Sequence, residues 1–333
     1  MKKMERREFL NTVLWGAAGS SLILPSVNLK KLPKSSDKPQ EETSVLAQVL
    51  GTAQDGGIPQ IGCYCRNCLR ARKDARFTRL VSSIALIDLI EKKYFILDAT
   101  PDIRLQSDKA LARLGIDKRG RKNAPDAILL THAHIGHYTG LMFFGYEGMS
   151  TQNLPVHCTS RMGRFLSDNG PWSQLVSLEN ISLRTLHPGK ELSLTSRISL
   201  TPLLVPHRNE YSDTIGFRIS GEKKKLLYIP DIQSWKAWNR SIVEEAEKVD
   251  IALLDGTFYN PEELPGRDLS KIGHPLIQTS FKTLGKVAQK GQTQIYFTHL
   301  NHTNLALDPK GEARKEITNR GFRLASDGEE FSL

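Results

Sequence analysis

Cysteine is scarce in this sequence, which has 4 in 333 residues, and three of the four fall within six positions. Pairing those three as disulfides would leave one unpaired, so the pattern excludes a small disulfide-stapled scaffold. Long uninterrupted apolar runs are also missing. The apolar stretch near the start, residues 9–24, contains Asn11, Thr12, Ser20 and Ser21. It is therefore too short and too polar for a membrane span of about 20 residues.

Large blocks of one charge are absent as well. The formal net charge is +10, but the basic residues are spread along the chain and interleaved with acidic ones. This distribution indicates a solvated basic surface and argues against nucleic acid binding as the main role. The hydrophobic content, 39%, is ordinary for a globular protein. The length suits one large domain or two closely packed halves.

The first 43 residues are interpreted as a targeting segment and a tether. Residues 1–25 have a basic start with Arg6 and Arg7 ahead of the modest apolar stretch, and they resemble a twin-arginine export signal. Residues 26–43 are rich in Lys, Ser, Pro and Glu without periodicity, which is typical of a flexible linker. The resemblance implies export to the periplasm by the twin-arginine machinery, with N-terminal membrane anchoring as the alternative. Residues 44–333 then form the folded domain.

Three of the nine histidines occur within six residues, directly after a strand-like apolar run at residues 127–130. Side chains alternate between faces in an extended segment, so His132 and His134 point the same way and can bind one ion. His137 follows a glycine bend and can reach a neighbouring ion. Neutral imidazole is the commonest protein ligand for zinc and similar ions. A single histidine would suit a solvent-facing role, but three at this spacing indicate a metal site.

The clustered cysteines are Cys63, Cys65 and Cys68. Thiolates at this spacing are best explained by one tetrahedral ion, and a closed structural zinc site needs a fourth ligand. A late strand delivers His299 and His302, which are three residues apart and need not bind the same ion. We take His302 as the fourth ligand, and we call this set of four residues the cysteine knuckle.

The histidine stretch resembles the His-x-His-x-Asp-His signature of the metallo-β-lactamase superfamily. The chain departs from the signature at one position, because Gly136 stands where the superfamily has an aspartate that binds the second metal ion. The resemblance therefore implies an intact first metal site and a weakly held second ion. In a two-metal hydrolase Gly136→Asp is expected to tighten the second site and to keep or raise activity, since affinity rises with ligand number and charge. If the glycine instead makes room for a substrate group or oxygen at a single working metal, the same change is expected to block activity while metal content increases.

The same resemblance assigns ligands elsewhere in the chain. His207, which ends a strand before a hairpin, matches the third ligand of the first ion, with His187 in a turn as its rival. Asp231 matches the aspartate that bridges both ions and holds the water between them, and His299 matches the final ligand. A helix is also expected from about Ser234, so the alternative role for Asp231 is to cap the start of that helix.

Two families of the superfamily share further motifs with this chain. The cysteine pattern after the first strand and the Thr-His-x-x-His near the end resemble the phosphoribosyl cyclic phosphodiesterase of phosphonate breakdown and the pyrroloquinoline quinone biosynthesis protein B family. The second resemblance extends over residues 99–104, 272–274 and 321–328. Together they imply an α/β fold, an αββα sandwich of two central mixed sheets with helices on the outer faces. They also imply that Asp98, at a strand end, orients the histidine loop.

The first functional hypothesis is an exported metal-dependent hydrolase that directs a metal-activated water at an ester, specifically a phosphodiester. Its catalytic residues are Asp231 and His274, the latter matching a loop histidine that protonates the leaving group in the phosphodiesterase. A structural histidine is the alternative at position 274. The expected substrate is a small anionic molecule.

Two further hypotheses belong to other classes of protein. The resemblance to the quinone biosynthesis proteins implies an iron-dependent oxygenase, since two histidines and a carboxylate hold ferrous iron as readily as zinc. The other is a non-catalytic carrier of a metal or ligand. The cysteine knuckle is expected to bind zinc, whereas the active site is expected to bind zinc, iron or manganese.

Overall fold

The structure is a computed structural model, and it describes residues 44–115, 123–268 and 271–333. The predicted export signal and linker, residues 1–43, lie outside this described part. Among the helices that the structure describes, none combines the length and the apolar character required to cross a membrane.

The first of two sheets contains seven strands and is mixed. In spatial order its strands are β14 (Glu330–Ser332), β1 (Val45–Gly51), β2 (Ser83–Asp88), β3 (Lys93–Leu97), β4 (Ala127–Leu129), β5 (Leu154–Cys158) and β6 (Ile181–Thr185). The neighbours from β14 to β3 pair antiparallel, and those from β3 to β6 pair parallel.

The second sheet also has seven strands and is mixed. In spatial order the strands are β13 (Arg323–Leu324), β12 (Gln294–Thr298), β11 (Ile251–Asp255), β10 (Lys225–Ile229), β9 (Thr214–Ser220), β8 (Ser199–Val205) and β7 (Leu192–Ser193). The neighbours from β13 to β10 pair parallel, and those from β10 to β7 pair antiparallel.

Helices cover the outer face of each sheet. The eight α-helices of the described residues are α1 (Arg66–Lys73), α2 (Ile103–Ala112), α3 (Ile135–Tyr138), α4 (Ser160–Asp168), α5 (Trp172–Ser177), α6 (Ile242–Glu247), α7 (Ile277–Lys290) and α8 (Glu312–Asn319). Side chains of α2, α4 and α5 pack in one apolar cluster with the first sheet, and those of α6, α7 and α8 pack in another with the second sheet.

The alternation of side chains along β1 shows how the layers are built. Leu46 and Leu50 face the helices over the first sheet, whereas Val49 faces the other way and joins Phe217 and Tyr228 of the second sheet. Since successive residues of a strand point to opposite faces, a strand buried on both sides is apolar at nearly every position, and in β1 the exception is Gln48. The predicted αββα sandwich is confirmed.

The helix expected from about Ser234 is wrong, because the first α-helix after that point is α6, which begins eight residues later. Its start is fixed by Ser241, whose side chain accepts a hydrogen bond from a backbone N–H of the first turn. Tertiary contacts hold the preceding segment instead. The buried Trp235 donates a 2.8 Å hydrogen bond to a serine of α7, and Trp238 donates a 2.7 Å bond to a carbonyl of β8.

Candidate metal centre

The candidate site lies where the strands of both sheets end. Strands β1, β3 and β4 run in one direction, and so do β8, β10, β11 and β12 in the second sheet. Since the carboxyl ends of such strands meet at one edge, residues far apart in the sequence come together there. A polar side chain lies at or shortly after the end of each of these strands, namely Asp55, Asp98, His132, His207, Asp231, Asp255 and His299.

One cluster contains His132, His134, His207 and Asp231, whose ligand atoms all lie within 4.8 Å of one another. His134 Nδ1 lies 2.9 Å from His132 Nε2 and 3.3 Å from His207 Nε2. Asp231 Oδ2 lies 2.9 Å from His132 Nε2. Two nitrogen ligands of a tetrahedral zinc ion are about 3.3 Å apart, because each bond is about 2.0–2.1 Å long. This first cluster therefore has the dimensions of a metal site.

A second cluster shares Asp231 with the first. His137 Nε2 lies 3.3 Å from Asp231 Oδ2, and His299 Nδ1 lies 2.9 Å from Asp231 Oδ1. Asp55, His137 and His299 also place ligand atoms within 4.8 Å of one another. The Asp231 carboxylate is buried between the two clusters, so it is placed to bridge two ions.

Three buried atoms of the second cluster have no hydrogen-bonding partner among the described residues: His137 Nε2, His299 Nε2 and Asp231 Oδ1. Asp231 Oδ1 lies near His299 Nδ1, but that nitrogen also lies 2.9 Å from Thr257 Oγ1. Each unpartnered buried polar atom costs about 1–3 kcal/mol, so a native fold seldom leaves several together. Imidazole and carboxylate are ligands for zinc, iron and manganese. The residues present fit a divalent cation.

The histidine loop is held by Asp98. Its carboxylate accepts hydrogen bonds from the backbone N–H and the hydroxyl of Thr131, at 2.8 and 2.9 Å, and lies 2.7 Å from His137 Nδ1. The Thr131 hydroxyl also lies 2.9 Å from His132 Nδ1. Partners of this kind fix the imidazole rings and leave their Nε2 atoms for an ion. These contacts agree with the orienting role that the resemblance implied.

His274 lies beside the clusters and is oriented by Asp255. Its Nδ1 lies 2.8 Å from Asp255 Oδ2 and 3.1 Å from the Thr257 hydroxyl. One of its nitrogens is within 4.8 Å of ligand atoms of Asp231 and His299. Burial disfavours the charged ring, but the Asp255 and Asp231 carboxylates outweigh it and raise the pKa of His274. The side chain is thus held as a proton donor close to the candidate ions.

The protonation states of two histidines of the first cluster also suit a cation, whereas at His137 burial is outweighed by the Asp98 and Asp231 carboxylates, which raise the pKa, so an ion there would displace a proton. Burial lowers the pKa of His132 well below its ordinary value and lowers the pKa of His207 to about 4. Both rings are therefore neutral near pH 7, which is the form that binds a metal. Burial opposes ionisation of Asp231, but its histidine neighbours, chiefly His299, outweigh it and hold the pKa of that carboxyl well below its usual range.

The four residues of the cysteine knuckle are brought together by the fold, with ligand atoms within 4.8 Å of one another. His302 Nδ1 lies 3.3, 3.5 and 3.7 Å from the Sγ atoms of Cys63, Cys65 and Cys68. A sulfur and a nitrogen ligand of a tetrahedral zinc ion are about 3.6 Å apart. Burial raises the pKa of the Cys68 thiol to about 12. A cation is therefore needed to keep this sulfur as the thiolate that binds metal.

A family model for the beta-lactamase superfamily domain matches residues 93–329 of this chain, which is 237 of 333 residues. Two solved structures of the same fold each cover 86% of this chain. The chain belongs to the metallo-β-lactamase superfamily.

Curated relatives of this metallo-β-lactamase superfamily member match over almost their whole length. Coenzyme PQQ synthesis protein B of Rhizobium meliloti is 27% identical over 305 residues, which cover 86% of this chain and 97% of that protein. The protein of the same name from Pseudomonas paraeruginosa is 29% identical over 310 residues, covering 86% and 99%.

Two solved structures share the fold. Zinc-bound PqqB from Methylobacterium extorquens has a TM-score of 0.73 at 23% identity and covers 86% of this chain and 100% of that one. A diphosphatase of the PhnP family has a TM-score of 0.61 at 24% identity, with 86% and 96% covered. At these identities the two structures establish the metallo-β-lactamase fold alone.

Gly136 leaves no vacancy in this member of the metallo-β-lactamase superfamily. The Asp55 carboxylate fills the space, and its Oδ1 accepts a 3.1 Å hydrogen bond from the backbone N–H of Gly136. A Cβ atom at position 136 would lie 2.1 Å from that oxygen and 2.8 Å from Asp55 Cα. A side chain at position 136 would therefore collide with Asp55, which contradicts the premise that the glycine leaves a vacancy, and the effect of Gly136→Asp on metal affinity stays a prediction.

The structure brings all ten candidate metal ligands into clusters, and their binding of metal stays a prediction. His187, the rival of His207, is exposed in the turn before β7 and lies outside these clusters. The sequence interpretation missed Asp55 and Asp255. Asp255 is the last residue of β11 and Asp55 lies in the loop after β1, and a single acid at such a position carries no local signal of its role.

Proposed function

We propose that this protein is a metal-dependent hydrolase that cleaves a small anionic ester, with a phosphodiester as the substrate class. The observation that carries the proposal is the position of Asp231. Its buried carboxylate stands between the first and second histidine clusters and contacts histidines of both at 2.9–3.3 Å. This arrangement suits two divalent ions that share one carboxylate.

Divalent ions held by these residues would polarise the phosphoryl oxygen and lower the pKa of a water molecule toward neutrality. In hydrolysis the water gives up one proton to the solvent as its oxygen bonds to phosphorus, the bond from phosphorus to the leaving oxygen breaks, and that oxygen gains a proton. His274 is placed to donate this proton. Its Nδ1 is engaged by Asp255, so Nε2 is the atom that serves the substrate.

Positive side chains flank the approach to His274. A cavity of about 370 Å³ extends from His274 and is lined by Gln233 and Lys236 among others. The Arg208 side chain lies against the loop that carries His274, since its Cδ is 3.6 Å from the position of a Cβ at Gly273. Cations beside a cleft attract and orient anionic substrates. This charge pattern supports a phosphate ester over a neutral one.

Replacing His274 by alanine is expected to lower kcat/KM by about 10²–10⁴-fold for a phosphodiester with an alkyl leaving group. A nitrophenolate leaving group needs little protonation, so the loss on a nitrophenyl phosphodiester is expected to be much smaller. The exposed His187→Ala serves as the matched control and is expected to change neither rate. Equal losses on both substrates, or the loss of one bound ion, would instead assign His274 as a metal ligand.

The relatives favour a second candidate function. Proteins named for coenzyme PQQ synthesis match this chain over nearly their full length. An iron-dependent oxygenase acting on a peptidyl tyrosine or quinone precursor would use the same histidines and carboxylates. A non-catalytic metal or ligand carrier is the third candidate, and it requires only that zinc be bound at the cysteine knuckle.

Elemental analysis of protein purified without added metal separates the three candidates. The hydrolase is expected to hold zinc or manganese in the cleft besides the zinc of the cysteine knuckle, and to cleave a chromogenic phosphodiester. Removing the cleft metal with a chelator and restoring it is expected to abolish and recover that activity. Knuckle zinc with iron in the cleft would support the oxygenase, and knuckle zinc alone would support the carrier.

Export by the twin-arginine machinery is proposed for residues 1–25. The double substitution Arg6→Lys with Arg7→Lys is expected to retain the protein in the cytoplasm, because paired arginines are the mark of such a signal. Fractionation of cells followed by immunoblotting measures the distribution. Lys30→Arg with Lys31→Arg, in the linker, is the control that keeps the charge. Undiminished periplasmic recovery of the first double variant would contradict the proposal.

A further inference from the structure

We infer that the Asp55 carboxylate is a ligand of the second metal ion and replaces, from a different loop, the carboxylate that Gly136 lacks. This inference rests on the proposed function only in that both require ions in the cleft. It changes the expected second site from a weak one with three protein ligands, His137, Asp231 and His299, to a complete one with four.

The position of Asp55 follows from the fold. It lies in the loop after β1, which ends at the same edge as β4 and its histidine loop. Its Oδ1 lies 3.6 Å from His137 Nε2, and its carboxylate belongs to the group with His137 and His299 whose atoms lie within 4.8 Å of one another. Oxygen and nitrogen ligands of one zinc ion are about 3.3 Å apart, so this placement suits a shared ion.

The close approach of Asp55 requires glycine at position 136. The Oδ1 atom receives the backbone N–H of Gly136 and occupies the place that a side chain there would take, since a Cβ would be 2.1 Å away. An aspartate at 136 and an aspartate at 55 therefore exclude each other in this conformation. The lack of a side chain at position 136 and the position of the Asp55 carboxylate are therefore sterically linked.

The charge balance points to a cation. No Lys or Arg of the described residues forms an ion pair with Asp55, and its pairing partner within 4.0 Å is His137. His137 already lies 2.7 Å from the Asp98 carboxylate and 3.3 Å from that of Asp231. Three carboxylates around one imidazole, with His137 Nε2 and His299 Nε2 buried and without hydrogen-bonding partners in the described part of the chain, need further positive charge.

The test measures metal binding directly. Full-length protein from which a chelator has removed the cleft metal, with the knuckle zinc retained, is titrated with Zn²⁺ and with Mn²⁺ by calorimetry, and bound ions are counted by elemental analysis, with the knuckle zinc as an internal reference. Wild type is expected to bind two cleft ions. Asp55→Asn, which keeps the side-chain shape, and Asp55→Ala are expected to weaken one of them by at least about tenfold. Asp168→Ala, which removes an exposed carboxylate from α4, is the matched control and is expected to change neither Kd.

A carboxylate swap completes the test. Gly136→Asp alone is expected to weaken the second ion, because the new side chain displaces Asp55. The double variant Asp55→Gly with Gly136→Asp is expected to bind that ion more tightly than either Asp55→Gly or Gly136→Asp alone. An unchanged second-site Kd in Asp55→Asn, with the knuckle zinc and melting temperature retained, would overturn the inference. Because the readout is metal binding, this result is distinct from a failure of phosphodiester hydrolysis, which would overturn only the proposed function.

Discussion

Replacing Cys65 by serine is expected to release one zinc ion per chain and to lower the melting temperature by about 10 °C or more. The Cys65 Sγ lies 3.5 Å from His302 Nδ1, and a hydroxyl is a poor substitute for a thiolate ligand. Zinc contributes about 10–16 kcal/mol of binding free energy at comparable sites in small domains. Each 1 kcal/mol of lost stability lowers the melting temperature of a large domain by about 2–4 °C. Losing only part of the zinc-binding free energy therefore suffices for the expected drop in melting temperature.

Elemental analysis and calorimetric melting measure these two effects on the same samples. Cys158→Ser is the matched control, because Cys158 is a buried cysteine at the end of β5 and outside the knuckle. It is expected to cost some stability through a buried hydroxyl while all zinc is retained. Unchanged zinc content and melting temperature in Cys65→Ser would refute a structural zinc at the cysteine knuckle.

Substituting Asp231 with asparagine is expected to lower kcat for a phosphodiester by about 10³-fold or more, which corresponds to about 4 kcal/mol of barrier. The carboxylate lies 2.9 Å from His132 Nε2 and 2.9 Å from His299 Nδ1. The asparagine amide keeps the shape of the aspartate side chain but removes its negative charge. It also turns an N–H₂ donor group toward ligands or ions that need an acceptor atom. Both cleft ions should therefore be held more weakly.

Rates are compared at saturating metal, and ions are counted in the same preparations. The knuckle zinc is expected to be retained in Asp231→Asn, which shows that the fold is intact. Asp108→Asn, on the exposed face of α2, is the control for removing one carboxylate. A variant of Asp231 that hydrolyses phosphodiesters at the wild-type rate would rule out the bridging role and, with it, the two-ion mechanism.

The histidine loop and the strands around it could be predicted from the sequence because their signals are local. His132 and His134 directly follow an apolar strand and share one face of an extended segment. The cysteine knuckle was recognised for the same reason, since three of its ligands fall within six residues. His207, Asp231 and His299 needed the resemblance, because a single histidine or acid at a strand end carries no spacing signal of its own.

The missed residues depend on tertiary contacts that no local pattern records. Asp55 lies in a glycine-rich loop and gains its place only when β1 and β4 bring that loop against Gly136. In the sequence Asp255 is an ordinary strand terminus, and its role depends on contact with His274, which lies in a loop 19 residues later. The sequence after Asp231 likewise predicts a helix. Its tryptophans instead donate hydrogen bonds to other elements, and these tertiary contacts override the local helix preference.

The cysteine knuckle joins distant parts of the chain, because Cys63 and Cys68 follow β1 in the first sheet and His302 follows β12 in the second, 239 and 234 positions further along the sequence. Because such a site seldom exists in an unfolded chain, the free energy of zinc binding is also free energy of folding. The zinc ion would thus act as a removable link between the two sheets. Free zinc concentration would then set how firmly the two sheets are held together, independently of any chemistry in the cleft.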